Sequence, residues 1–301
     1  MPVARSRRQR RAIVAALALL ALWAATPTGQ APPSGGQAQA PTEAVRFAVI
    51  GDMGTGGPRQ RDVARQMAAV RERFPYTFVI TVGDNIYGGQ SRVDLQKKFE
   101  QPYKALIDAG IPFYASLGNH DNVTVQTNYK LFNMDGSRYY TFVRGPVQFF
   151  ALDSGLALRA QLTWLEGLLQ KSTAPWKFIY QHHPLYSSGL RHGPTESQQS
   201  NLEPLLTTYG VQVVFSGHEH FYERLVPRYG IHHFIVGSGG QLRRNGIRKG
   251  SKDTAKGFDT DNAFLLVAIE GDTLSFEAVS RMGTIVDKGT IPRVSGVTEG
   301  Q

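Results

Sequence analysis

Cysteine is missing from all 301 residues. Its absence excludes disulfides that would brace an exported domain, and it excludes thiolate ligands for a metal ion. Any metal chemistry must therefore use Asp, Asn, Tyr and His. Acidic residues are missing before Pro41, and histidine is missing before His120. No apolar run reaches the roughly 20 residues that a bilayer span needs; the longest one, Ala12 to Ala25, falls short. There is no internal repeat. The net charge of +9 would suggest an anionic partner, yet Arg5, Arg7, Arg8, Arg10 and Arg11 account for five of those charges. The remaining +4 is too mild for a dedicated nucleic-acid binder, and it suits a protein that handles small anions.

What is present sorts into four regions. The basic stretch Arg5 to Arg11 and the apolar run after it read as a secretory signal peptide, or as an uncleaved signal-anchor, over residues 1–27. Ser6-Arg7-Arg8 weakly resembles a twin-arginine signal. Residues 28–44, rich in Pro, Gly, Gln and Ala, read as a disordered tether. Residues 45–293 read as one catalytic domain, and 294–301 as a C-terminal tail. Export is the localisation this order predicts, with membrane attachment only if the signal stays on.

Within the domain, strands and helices alternate. The pattern predicts strands over 45–50, 77–82 and 112–117, with helices over 59–73 and 94–109 between them. Strands at 139–143 and 147–152, a helix at 158–170 and a strand at 177–180 follow. A helix at 195–209, a strand at 211–215 and late strands near 233–236, 264–269 and 274–279 complete the reading. This is the signature of an α/β fold with covered sheet faces. Five polar segments stand at the carboxyl ends of strands, where open α/β sheets place their crevice. They are Gly51-Asp52-Met53-Gly54, Gly83-Asp84-Asn85-Ile86-Tyr87, Gly118-Asn119-His120-Asp121, His182-His183-Pro184 and Gly217-His218-Glu219-His220. Their glycines are expected to permit sharp backbone turns. Singly, each is an ordinary turn; together they supply a full set of oxygen and nitrogen donors.

The set resembles the calcineurin-like metallophosphoesterases, and Tyr87, three residues after Asp84, resembles the purple acid phosphatases in their short single-domain form. The resemblance runs from about Val45 to Arg293. It implies a two-sheet β-sandwich flanked by helices, with the metals at the C-terminal ends of strands. It also implies that Asp52, Tyr87 and His220 bind iron(III), and that Asn119, His182 and His218 bind a divalent iron, zinc or manganese ion. Asp84 would bridge the two, and His182 is preferred over His183 because the family ligand stands two residues before the proline. The implied activity is acid hydrolysis of phosphomonoesters, on small molecules or phosphoproteins, by a metal-activated hydroxide.

By the same resemblance His120 contacts phosphate. His192 protonates the leaving group, although one extra residue separates it from His182 and an exposed loop histidine is the other reading. Asp121 orients His120 or shapes a turn. Glu219 points away from its neighbours and is structural or solvent-facing. The basic run Arg243-Arg244, Arg248-Lys249, Lys252 and Lys256 is solvated surface, or else draws phosphorylated substrates inward. The alternatives are a phosphodiesterase of the same fold, acting on cyclic nucleotides or lipid head groups, and a non-catalytic binder of phosphorylated ligands.

Overall fold

The computed structural model describes residues 44–155 and 159–293. The expected signal, tether and tail lie outside those residues, apart from Ala44. Thirteen strands are described, and they run in chain order as β1 (Val45–Ile50), β2 (Phe78–Val82), β3 (Phe113–Ser116), β4 (Tyr140–Arg144), β5 (Val147–Ala151), β6 (Trp176–Tyr180), β7 (Val213–Ser216), β8 (Tyr222–Leu225), β9 (His232–Val236), β10 (Thr254–Phe258), β11 (Ala263–Glu270), β12 (Thr273–Ser280) and β13 (Ile285–Pro292). They form a six-stranded sheet, β13-β12-β11-β1-β2-β3, and a seven-stranded sheet, β10-β8-β9-β7-β6-β5-β4. Strands β1, β2 and β3 are mutually parallel, as are β5, β6, β7 and β9. The helices are α1 (Pro58–Val70), α2 (Arg92–Leu95), α3 (Lys104–Asp108), α4 (Val123–Thr127), α5 (Arg159–Lys171) and α6 (Glu196–Thr208).

The layering follows from alternation along the strands. In β1, Val45, Phe47 and Val49 face the other sheet, whereas Ala48 and Ile50 face the helices. Phe47 stacks on Phe78 at 5.2 Å and meets the edges of Phe149 and Phe215 at 5.2 and 6.0 Å. These aromatic contacts weld the two sheets face to face. On the outer side of the first sheet, Val63, Ala64 and Met67 of α1 and Leu106 of α3 cover Ala48, Ile50 and Leu266. On the outer side of the second, Leu165 and Leu169 of α5 and Leu202 and Leu206 of α6 cover Phe150, Ile179 and Val214. A strand buried on both faces reads as a near-continuous apolar run, broken in β1 only by Arg46 and in β2 only by Thr81, which is why β1, β2 and β7 stand out in the sequence. The expected two-sheet α/β sandwich flanked by helices is the observed fold.

The details differ in three places. The helix expected over 94–109 is divided into α2, a π-helical stretch Gln96–Glu100 and α3, because Pro102 has no N–H to continue the ladder. Strands β8, β10 and β13 were not anticipated. Edge strands β10 (Thr-Ala-Lys-Gly-Phe) and β13 carry lysine, glycine and, in β13, proline, residues that mask the alternation a half-buried strand would show. Helix α4 is only one turn long and has no apolar period to reveal it.

Candidate metal centre

The parallel strands of both sheets deliver their C-terminal loops to one place. Asp52 follows β1, Asp84 and Tyr87 follow β2, Asn119 and His120 follow β3, His182 follows β6, and His218 and His220 follow β7. Backbone bonds lock these loops in pairs. Asp52 N–H donates to Gly83 C=O at 3.0 Å, and Gly217 N–H donates to His182 C=O at 2.9 Å. Asp52, Asp84 and His218 have φ of 52°, 49° and 68°, the left-handed region that non-glycine residues rarely occupy. Strain of this kind persists where surrounding structure overrides it, commonly at functional sites.

The glycines serve a different purpose from the one expected. Of the four beside the motifs, only Gly83 has a positive φ, +81°. Gly118 and Gly217 are needed for close approach, since a Cβ would stand 2.2 Å from Asp84 Oδ1 and 2.5 Å from Asp52 Oδ2 respectively.

Two triangles of donor atoms result. Tyr87 OH lies 3.1 Å from Asp52 Oδ1 and 3.3 Å from His220 Nε2, and the last two atoms are 3.3 Å apart. Asn119 Oδ1 lies 3.0 Å from His182 Nε2 and 3.1 Å from His218 Nδ1, with 3.1 Å between those nitrogens. Donors about 2.0–2.2 Å from one ion, at right angles to tetrahedral angles, stand roughly 3 Å apart. Asp84 links the triangles. Its Oδ1 is 3.5 Å from His182 Nε2, and its carboxylate groups with those of Asp52 and the His220 imidazole within 4.8 Å.

Hydrogen bonding orients these atoms. His182 donates its Nδ1 proton to Val82 C=O at 3.0 Å, so Nε2 presents a lone pair to Asn119 Oδ1. Two lone pairs aimed at one point repel unless a cation lies between them. Asp52 Oδ2 accepts His218 N–H at 2.9 Å, which leaves Oδ1 for the triangle. Asp84 Oδ1 accepts His120 N–H at 2.9 Å.

The electrostatics point the same way. Asp52 and Asp84 are buried, at 0% and 1% exposure, and among the described residues neither is ion-paired with a lysine or arginine. Burial, reinforced by Asp84, pushes the Asp52 carboxyl well above its usual range. Burial and these two carboxylates also push the Tyr87 phenol up. Burial lowers His218 to about 2 and His220 to about 4, and it drives His182 well down. The imidazoles are thus held neutral, the form that coordinates metal. The residues present fit two cations: they supply hard oxygen donors in one triangle and imidazole with amide in the other.

The remaining predicted residues surround this centre. A pocket of about 340 Å³ is lined by Asp84, Asn119, His120, His192, His218 and His220, together with Arg191, Gln241 and Arg243. His120 is half-exposed, with Nε2 4.0 Å from Asp84 Oδ2. The His192 ring lies 4.2 Å from the His218 ring, so the loop with the extra residue reaches the pocket. His183 sits beside the centre, with Nδ1 2.9 Å from Ser154 Oγ and its ring 4.4 Å from that of His218. Its donor atom also falls within 4.8 Å of those of His182 and His218.

Two pairs of alternatives are decided. Asp121 does not hold the His120 ring; its carboxylate accepts the N–H groups of Gly118, Asn85 and Ile86, plus the side-chain amides of Asn85 and Gln126. It staples the loops after β2 and β3 together, and burial with nearby Asp84 raises it to about 7. Glu219, structural or solvent-facing by sequence, is fully buried, so the structural alternative holds. Sequence reasoning missed Arg191 and Gln241 and left Arg243 unassigned. The available signals were Arg191 beside His192 and Arg243 opening the basic run, whose Arg248, Lys249 and Lys256 line a separate groove.

Residues 45–222 match the sequence model of the calcineurin-like phosphoesterase family. The chain belongs to that family. Among curated relatives of this phosphoesterase, tartrate-resistant acid phosphatase type 5 of Mus musculus is 30% identical over 243 residues, 66% of this chain and 74% of the relative. Purple acid phosphatase 4 of Arabidopsis thaliana is 29% identical over 272 residues, 78% of this chain and 80% of that protein. Two solved structures share its fold at 20% identity. A purple acid phosphatase from seeds of Lupinus luteus aligns with a TM-score of 0.72 over 84% of this chain and 54% of its own. GAP50, an anchor in the inner membrane complex of Plasmodium, aligns at 0.74 over 84% of this chain and 90% of its own. Family membership and the acid-phosphatase relatives support a metal-dependent phosphomonoester hydrolase.

Proposed function

We propose that this phosphoesterase is an exported acid phosphatase of the purple type that hydrolyses phosphomonoesters at a dinuclear metal centre. One observation carries the reading: two three-donor triangles flank the Asp84 carboxylate. Asp52, Tyr87 and His220 would hold iron(III). Asn119, His182 and His218 would hold divalent iron, zinc or manganese, and Asp84 would touch both ions. When bound, the two ions supply Lewis-acid charge stabilisation at the phosphoryl group and activate water near neutral pH.

The chain's own residues do the rest. The Val82 carbonyl keeps the His182 proton on Nδ1, and the His218 N–H keeps one Asp52 oxygen out of the donor set. His120, at the pocket surface, donates to a phosphate oxygen. A ring N–H of His192 gives its proton to the departing ester oxygen as the P–O bond breaks and the water–phosphorus bond forms. Arg191 and Arg243 add positive charge along the same wall. Export rests on the basic-then-apolar amino terminus, and phosphorylated small molecules or phosphoproteins are the substrates it would meet. Among the described residues no helix is long and apolar enough to cross a membrane.

Fold alone does not decide catalysis, since the same architecture serves an anchor protein. The test is metal analysis with a visible spectrum on wild type and Tyr87→Phe, alongside rates on one monoester and one diester. The expected result is two metal ions including iron, a purple or pink colour lost in the variant, and faster monoester hydrolysis. A colourless two-zinc protein with an unchanged variant, or a diester preference, would move the chain to another branch. Phosphate binding without turnover at any pH would make it a binding protein.

A further inference from the structure

Between the candidate donors His218 and His220 stands a carboxylate that reaches none of the ions' proposed donors, yet organises one wall of the pocket. Glu219 has 0% exposure. Its Oε1 accepts the backbone N–H of His192 at 3.2 Å and of Gly193 at 2.9 Å, while Oε2 faces Arg243 Nη1 at 3.3 Å. A Cβ at Gly189 would stand 2.0 Å from Oε1, so residue 189 has no side chain where the carboxylate passes. The two loops it joins both line the pocket, one through Arg191 and His192, the other through Arg243. Farther out these loops are also paired, with Leu190 N–H donating to Gly246 C=O, Arg248 N–H to Ser188 C=O, and Ser188 Oγ 2.7 Å from Ser251 Oγ. A buried carboxylate with two N–H donors and a guanidinium is expensive to lose, because removal leaves all three partners unsatisfied.

We infer that Glu219 is a positioning residue for anion recognition: it holds His192 and Arg243 on the pocket wall without itself touching substrate. The inference rests on the reading of this pocket as the phosphate site. It is tested by binding of inorganic phosphate to metal-replete protein, for wild type, Glu219→Gln, Glu219→Ala, Arg243→Gln and the Glu219→Ala/Arg243→Gln pair. Glu219→Ala should weaken phosphate at least tenfold while metal content and visible spectrum stay unchanged. Glu219→Gln should recover part of that loss, since an amide oxygen still accepts the two backbone N–H groups, and it covers the case in which the alanine variant fails to fold. The pair should be less severe than the product of its single effects, because both act on one wall. Wild-type phosphate affinity in Glu219→Ala, loss of a metal ion in either variant, or strictly multiplicative effects would each overturn it. Wild type that binds phosphate through this wall but hydrolyses no monoester would leave the inference standing and defeat the proposed activity.

Discussion

Gly118→Ala adds a single methyl group at the point where the loops after β2 and β3 touch. The new Cβ would stand 2.2 Å from both the backbone nitrogen and Oδ1 of Asp84, and 2.9 Å from its Cγ. Relief to even 3.0 Å, the shortest distance real Cβ atoms show, requires a shift of about 0.8 Å, against a tolerance of about 0.2 Å for ligand positions in a metal site. Asp84 cannot simply swing away. It is buried, its Oδ1 is held by His120 N–H, and its C=O accepts Met53 N–H at 3.2 Å. The strain therefore passes into both loops. Overpacking of this sort costs about 1–3 kcal/mol, and disturbing an outer-shell contact lowers metal affinity about 10- to 100-fold. In urea unfolding, the metal-free variant should be about 1–3 kcal/mol less stable than wild type. At fixed free metal the gap should widen by up to about 2.7 kcal/mol, the linkage equivalent of a hundredfold weaker site. A variant that takes up two ions with wild-type affinity would refute the placement of Asp84 at the shared position.

Metal uptake should release protons. Because burial and the two carboxylates keep the Tyr87 phenol protonated without metal, binding must displace that proton, so affinity rises with pH. Calorimetry in buffers of different ionisation enthalpy should find Tyr87→Phe releasing fewer protons; equal release would exclude Tyr87 as a donor. Away from the centre, burial, then Arg228 and His232, lower His233 to about 3 from 6.5. The unfolded chain holds the extra proton between those values, so this contribution is full above pH 6.5 and is lost as pH falls, at about 1.4 kcal/mol per unit. The difference in stability between wild type and His233→Phe should follow that slope, and parallel stability–pH curves would contradict it. Phe47→Ala empties the junction of the two sheets and should cost about 3–5 kcal/mol in denaturant unfolding. A loss under 1 kcal/mol would mean that the site collapses freely.

The strands that carry the centre were legible because both their faces are covered. Phe47 to Ile50, Phe78 to Ile80 and Val213 to Phe215 are apolar without interruption, and the polar segment that follows each strand is conspicuous. Two of the four sheet edges were not legible: β10 and β13 leave polar groups to solvent and look like loops, whereas edge strands β3 and β4 were anticipated. The basic run at 243–256 shows the same limit. Arg243 lines the pocket while Arg248 and Lys249 face another groove, a division that depends on where the loop folds back. The sequence could not choose between its two readings for Asp121 or for Glu219, because their partners lie at residues 85 and 86, and at 243, well away in the chain.

Residue order alone determined which donor types were available, that they end successive strands, and that sheets with covered faces would carry them. Those properties are local: periodicity, strand length and the chemistry of each side chain act over a few residues. Only the tertiary structure decided that Asn119 Oδ1 meets His182 and His218, which ring nitrogen His182 keeps free, and that Glu219 turns inward to Arg243. Those facts arise where backbone carbonyls and loops distant in the chain are pressed together by sheet packing, and no short window of sequence contains both partners.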